Sequence, residues 1–427
     1  MNGPSSVVTA ATGPASSALR FAALHSPAYR WYFLAGLLTM VADNIEHVIS
    51  YWVIFQAFHS PSLAGFAVIS HWLPFLIFSV YTGALADRFD CRPLIQVSQA
   101  LFMVASLAWG LLFLTGTLQM WHAVVILLIH GAAGVVAAPA TQLILHDIVG
   151  AEHLQSAIRL YASSRYLSIL LGPAVGGGLM LLLGPAWGLL ANVLIYLPLC
   201  AWLIRVPYTG HLHDGDRRGP APRFGLREAW VLFSQVRSDR RITAMIVLGG
   251  ATSFFVGNAF QAQMPEYAQH LGADDTGMRY SVLLAANAAG AVIGAVLLES
   301  ANLLRPHVRT AILCAIAWGV TMGLFPAAGS YGLAVALLVL AGIFNIAFTS
   351  MAQTLVQLLA PPRVRGSIVG LFNTAILGLR AGSGVTVGIL GAFINVYWSL
   401  ALSSAAVVVT ALGLLFLDAS PSRSSKP

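Results

Sequence analysis

The chain has 427 residues, 58% of them hydrophobic and only 9% charged, with a mean hydropathy of +0.80. Soluble domains carry roughly 25% charged residues, so this chain has too little polar surface to fold in water and must turn apolar surface to lipid. The net charge of +7 does not point to nucleic acid, because the arginines lie between apolar runs and not on one face of a soluble module.

Residues 1–30 are rich in Ser, Ala and Gly and lack the apolar core and cleavage pattern of a signal peptide, which predicts a loose tail with a short interfacial lead-in. A spanning helix needs roughly 20 mainly apolar residues. Runs of that kind predict spans at 31–56, 63–86, 94–116, 120–145, 156–183 and 186–205. After a polar stretch they resume at 241–266, 278–300, 309–327, 331–358, 366–392 and 395–417. The expected fold is therefore an all-α integral membrane protein of twelve transmembrane helices. It divides into a bundle over 31–205, a linker over 206–240, a bundle over 241–417 and a tail over 418–427. Within the linker, Phe224 to Val236 suits an amphipathic helix on the membrane surface, and His211 and His213 read as solvated loop residues.

Basic residues set the expected orientation. With the N-terminus in the cytoplasm, twenty of the 22 Lys and Arg residues fall on the inner side, Arg279 alone lies in an outer loop, and Arg380 lies within a span. One helix more or fewer would scramble that alternation, so positive-inside bias supports both the count and cytoplasmic termini in an inner membrane. The two halves echo each other under a shift of 210 residues, which puts Gly172 on Gly382, Val175 on Val385 and Gly178 on Gly388. Cys91, Cys200 and Cys314 are too scattered for a disulfide framework or a zinc site, and neither a metal nor a cofactor is expected. The sole Lys, Lys426, cannot serve a phosphate-binding loop, so ATP is not the expected energy source.

Ionisable residues at membrane depth default to functional hypotheses. The first span holds Asp43, Asn44, Glu46 and His47, and at about 100° per residue Asp43, Glu46, His47 and Ser50 share a face that should look into a cavity. At a rise of about 1.5 Å per residue, Asp43 lies ~18 Å, Glu46 ~22 Å and Arg380 ~21 Å from the cytoplasmic ends of their spans. Arg380 thus has the depth to compensate a carboxylate, and a structural ion pair is the plain alternative. Adjacent carboxylates repel, so one can hold a proton. His71 and His130 lie at mid-depth, as titrating or as packing residues. Asn258, Gln261, Asn287, Asn345 and Asn373 are candidate cavity-lining hydrogen-bonders, with helix packing as their other reading.

Gly83-Ala84-Leu85-Ala86-Asp87-Arg88-Phe89-Asp90-Cys91-Arg92 resembles the signature between helices 2 and 3 of the major facilitator superfamily. Ser26 to Arg92 with Pro74, Ala138-Pro139-Ala140 and Pro361-Pro362-Arg363-Val364-Arg365-Gly366 are similar to its transmembrane secretion effector, or enterobactin exporter-like, branch. Gly172-Pro173-Ala174-Val175-Gly176-Gly177 resembles the antiporter motif of exporters. Those exporters carry an Arg in helix 4 before a Gly, whereas Ile126 to Gly131 here offers His130.

The resemblance implies two pseudo-symmetric six-helix halves, alternating access, and an inner gate at Gly83, Asp87, Arg88 and Arg92. It also implies a monomeric carrier, not an enzyme, which exchanges a small amphipathic or siderophore-like substrate for protons. Asp43, Glu46, His47 and Arg380 are the expected coupling residues. An uptake permease on the same fold, or a polytopic enzyme acting on lipid-linked substrates, are the competing readings.

Overall fold

The computed structural model describes residues 21–211, 239–272, 277–301, 307–361 and 365–419. The amphipathic segment Phe224–Val236, His213, Arg363 and both extreme tails lie outside the described residues.

The sequence starts its helices with legible chemistry. Ser26 accepts a hydrogen bond from the Tyr29 amide with Pro27 in the first turn, and Ser60 does the same for Leu63 with Pro61 following. Ser or Asp before a helix satisfies an amide that has no intrahelical partner, and proline at the first position loses nothing. These caps open α1 (Pro27–Phe58) and α2 (Pro61–Ala86), and Asp90 caps α3 (Cys91–Leu114) through the Arg92 amide.

The next 86 residues run without a loop from Met120 to Arg205, yet two glycines break them. Gly150 (φ 68°) and Gly184 (φ 77°) adopt the left-handed backbone that only glycine takes at little cost. The result is α4 (120–149), α5 (151–183) and α6 (185–205), with Pro185 opening the last. The second group comprises α7, α8 (Met278–Ala301), α9 (Val308–Leu324), α10 (Tyr331–Leu359), α11 (365–394) and α12 (Val396–Ala419).

Ten stretches meet the length and apolarity of a membrane span. One of them, Glu152–Arg205, is α5 and α6 divided at Gly184, and α1 is the twelfth because its charges lower its hydropathy. Among the described residues the helix count is therefore the one the sequence predicts. Leu182 and Phe393, each 81% exposed, belong to the lipid-facing belt that surrounds the bundle.

Two predicted spans are less regular than expected. The helix beginning at Arg240 stops at Phe255 and continues as short turns, Ala259–Ala262 and Met264–His270, around Gly257 (φ 42°); together these form α7. Helix α11 alternates α and π turns, with π-helical segments at Thr374–Gly378 and Gly384–Ile389. Such wide turns are frequent at functional sites, and Arg380 stands between the two.

Both ends of the described chain emerge on one face, here the terminal face. There Tyr29 donates to the Ala157 carbonyl (2.9 Å), the Cys91 amide to the Thr209 carbonyl (2.8 Å) and the Gly210 amide to the buried Asp147 carboxylate (2.6 Å). The first bond joins α1 to α5, and the other two tie the chain leaving α6 back onto α3 and α4.

On the opposite, far face the two groups meet each other. Gln263 Nε2 donates to the Pro61 carbonyl (2.9 Å), Tyr280 to the Val48 carbonyl (3.0 Å), and Trp52 stacks on Tyr280 with centroids 5.7 Å apart. The closest approach is between α2 and α11, where a methyl group on Gly65 would overlap the Gly384 carbonyl and the backbone of Gly388. Helices approach that closely in lipid only through small residues.

Gly65→Val is expected to lower stability by about 1–3 kcal/mol through forced separation of α2 and α11. Thermal unfolding in detergent reads this, with Gly413→Ala as the control because nothing lies near that glycine. An unchanged midpoint for Gly65→Val would remove this contact from the account.

Candidate functional site

The middle of α1 carries the charge that the sequence flagged, and the fold surrounds it with partners from three other helices. His130 on α4 stands between the two carboxylates. Its Nδ1 donates to Glu46 Oε1 at 2.8 Å, and its Nε2 lies 3.1 Å from Asp43 Oδ1, within ion-pair range but off the line of a hydrogen bond. Ser106 on α3 donates to Glu46 Oε2 at 2.5 Å. Asn192 on α6 donates in turn to Ser106 Oγ (3.2 Å) and to the Ala42 carbonyl (3.0 Å). Glu46 and His130 are 1% and 4% exposed, so this assembly sits in the interior of the first helix group.

A neutral imidazole has a single N–H. Facing a carboxylate from each ring nitrogen, His130 completes both contacts only if the assembly holds one further proton, on the ring or on a carboxyl. The arrangement therefore has a place for one proton more than a neutral imidazole supplies.

Glu46 is a correction to the expected geometry. Asp43 and Glu46 lie about 60° apart on the helix wheel, as three steps of about 100° fall short of a full turn. That angle aims Asp43, Asn44 and His47 at the cavity and Glu46 inward at α3 and α4.

The cavity has a volume of about 330 Å³ and runs between the two groups from Tyr32, near the terminal face, to Tyr51. Asp43, Asn44, His47 and His71 line one wall, with Trp72, Phe75 and Phe102 as apolar surface, and Asn258, Gln261 and Arg380 face them from the second group. Asn287 lines a small neighbouring recess with Gln261 and Pro173 and donates to the Leu338 carbonyl (3.2 Å). Asn345 and Asn373 are not part of either lining.

Arg380 does reach the cavity at the depth of the carboxylates, but its guanidinium lies over the Trp72 ring, 4.7 Å from the centroid. A desolvated contact of that type is worth up to about 2 kcal/mol. Both carboxylates lie within ion-pair range of His130.

Helix α5 can approach α1 because of its glycines. A methyl on Gly172 would overlap Asn44 Cβ, one on Gly176 would press on Val48 at 3.3 Å, and one on Gly177 would meet Ser281 of α8 at 2.6 Å. Pro173 lies beside the recess between the groups. These residues thus bring α5 against the charged helix on one side and the second group on the other.

At the end of α2, Gly83 has open space around it, and Asp87 and Arg88 are exposed. The ion pair formed there is Arg92–Asp90 (2.6 Å), with Arg92 also donating to the Val206 carbonyl (2.6 Å). Partial burial works to raise the Asp90 carboxyl, but hydrogen bonds from the Arg92 side chain and amide outweigh it and hold the group below its ordinary range.

Sequence reasoning missed Ser106, Asn192 and Trp72. The signal for the first two was present: polar side chains in otherwise apolar spans must find partners in lipid.

Removing either hydrogen-bonding link leaves a buried polar atom unmatched. Ser106→Ala and Asn192→Ala are each expected to lower stability by about 1–3 kcal/mol, read as a drop in the unfolding midpoint in detergent. A midpoint equal to that of the parent protein would show that the link carries no weight.

Comparison with known proteins agrees with this fold. The sequence profile described as Major Facilitator Superfamily matches residues 32–379. The enterobactin exporter EntS of Citrobacter koseri is 25% identical over 412 residues, covering 92% of each chain. The staphyloferrin A transporter of Staphylococcus aureus is 20% identical over 168 residues, a match spanning 39% of this chain and 42% of that one. Among solved structures, the nucleoside transporter NupG superposes with a TM-score of 0.73 at 13% identity, covering 92% of this chain and 100% of that one. The D-xylose–proton symporter gives a TM-score of 0.65 at 17% identity, covering 90% and 96%. At these identities the solved structures establish the fold alone.

Proposed function

The chain belongs to the major facilitator superfamily, a family of membrane transporters and not of enzymes, and within it we propose that this protein exports a small amphipathic or siderophore-like molecule in exchange for protons. The observation that carries the reading is a buried carboxylate–imidazole assembly in the wall of a cavity between the two helix groups.

Cargo enters this cavity from the terminal face, which the basic-residue asymmetry assigns to the cytoplasm. The contacts between groups on the far face keep it closed there. Rocking of one group on the other then exposes the same site to the other side. Arg380, Asn258 and Gln261 face Asp43, Asn44 and His47 across the space, so cargo can bridge both groups and draw them together. Trp72, Phe75 and Phe102 give it an apolar surface to lie on.

The exchanged proton resides on the assembly of Asp43, Glu46 and His130, with His47 beside it. Gly83, Asp87, Arg88 and Arg92 stand where an inner gate would form when the terminal face closes. The glycines of α5 favour export over uptake through their likeness to the exporter motif. The relation to EntS along nearly the whole chain supports the same direction and a siderophore-like cargo.

The test uses inverted membrane vesicles energised by an acid interior, with enterobactin and a cationic amphipathic dye as separate probes. Export predicts that at least one accumulates inside and that Asp43→Asn/Glu46→Gln abolishes accumulation while the protein remains folded and membrane-inserted. Undiminished accumulation by the double variant would refute coupling at this site. Gradient-driven uptake seen only in right-side-out vesicles would refute export.

A further inference from the structure

Three histidines from three helices converge at the cavity, His47 and His71 in its wall and His130 buried behind them. His47, His71 and His130 each bring one ring nitrogen into a group whose members lie within 4.8 Å of one another. Ring centroids are 4.8 Å apart for His47–His71, 4.7 Å for His47–His130 and 5.4 Å for His71–His130. Proton storage on Asp43, Glu46 and His130 does not require His71 at all.

The hydrogen bonds at these rings are the second fact. A metal-binding imidazole characteristically donates its other N–H to a carboxylate or a backbone carbonyl, which fixes the ring and makes the free nitrogen a better ligand. His130 does so through Nδ1 to Glu46 Oε1 at 2.8 Å, and His47 does so through Nδ1 to the Asp43 carbonyl at 2.8 Å. In both rings Nε2 is thereby left for a ligand. His130 Nε2, His71 Nδ1 and Asp43 Oδ1 are buried without a hydrogen-bond partner. Orphaned polar atoms are costly in a low-dielectric interior, and here they gather at one place.

We propose that His47, His71 and His130, with Asp43 as the fourth donor, bind a divalent first-row transition metal. Imidazole donors suit zinc, nickel, copper and iron, whereas magnesium and calcium require oxygen cages. A single carboxylate with three imidazoles offers the four donors of a tetrahedral site. A point equidistant from three atoms 4.8 Å apart is about 2.8 Å from each, against about 2.0–2.1 Å for a metal–imidazole bond. Each ring therefore closes in by less than about an ångström, within the reach of small χ changes. Glu46 acts one step out, orienting His130 without touching the metal. The site faces the transport cavity through Asp43, His47 and His71, so metal reaches it from the same side as cargo.

This inference goes beyond the transport reading and does not depend on it, because binding is measured at equilibrium with no gradient. The full-length chain, free of any polyhistidine tag, is titrated in detergent with cobalt chloride and then with zinc chloride. Visible absorption reports coordination, and the unfolding midpoint reports stabilisation. The expected result is one cobalt per chain with tetrahedral ligand-field bands, displacement by zinc, and a metal-dependent rise in midpoint. His71→Gln, which removes no observed hydrogen bond of the ring, is expected to weaken binding by about tenfold or more. Glu46→Gln is expected to weaken it by about 10–100-fold as an orienting residue. His122→Gln, on a histidine at the far face, leaves binding unchanged.

Absence of saturable bands in the parent protein overturns the proposal. So does unaltered cobalt affinity in His47→Gln/His71→Gln, which would place the metal on other histidines.

Discussion

Two carboxylates in the middle of α1 set the terms for the rest of this fold. A charged side chain at the centre of a membrane helix costs about 2.5–3.5 kcal/mol on insertion scales, and here Asp43 and Glu46 are three residues apart. The surrounding helices answer that cost. Helix α4 supplies His130 between the two carboxylates, α3 supplies Ser106, and α6 supplies Asn192 behind it. With Gly172 opposite Asn44, α5 can lie against the charged helix. Polar bonds of this kind fix the mutual arrangement of the first group more than they stabilise it, because apolar side chains alone would slide against one another in lipid.

The second constraint is the asymmetry between faces. Far-face closure depends on glycine contacts and on side-chain hydrogen bonds to backbone carbonyls that need no salt bridge, such as Tyr280 to Val48 and Gln263 to Pro61. Contacts of that type can part and re-form without burying an unpaired charge. Helix α11 adds local adaptability, since π turns flank Arg380 and their looser hydrogen bonding can absorb a change in its direction. Arg380, which reaches from the second group to Trp72 of the first, is thus mounted on an irregular helix. The metal and proton readings share two atoms, His130 Nε2 and Asp43 Oδ1, so binding of one cation there excludes the other.

Much of this was legible in the sequence. Span positions followed from apolar runs, and the breaks near 150 and 184 fell where a turn was expected, at Gly150 and Gly184. The charged cluster was identifiable because any ionisable residue in an apolar run is conspicuous. Less legible was direction. An angle of about 60° between Asp43 and Glu46 decides which of them faces the cavity and which faces α3, and a helical wheel cannot say where neighbouring helices stand. Depth put Arg380 level with the carboxylates, but depth alone could not show that its guanidinium lies over the Trp72 ring. His71 and His130 read separately, as titrating or packing residues, because helices 1, 2 and 4 meet only in three dimensions. The irregular course of α7 after Phe255 and the π turns of α11 left no clear mark in a uniformly apolar composition.

The central claim is that cargo and protons move in opposite directions through the α1 site. The most direct measurement is proton flux in proteoliposomes that enclose a pH-sensitive dye, after a pulse of a transported probe with no imposed gradient. The account predicts that protons leave the compartment the probe enters, and that this flux is absent in Glu46→Gln. Probe movement without proton movement, or both moving the same way, would contradict it.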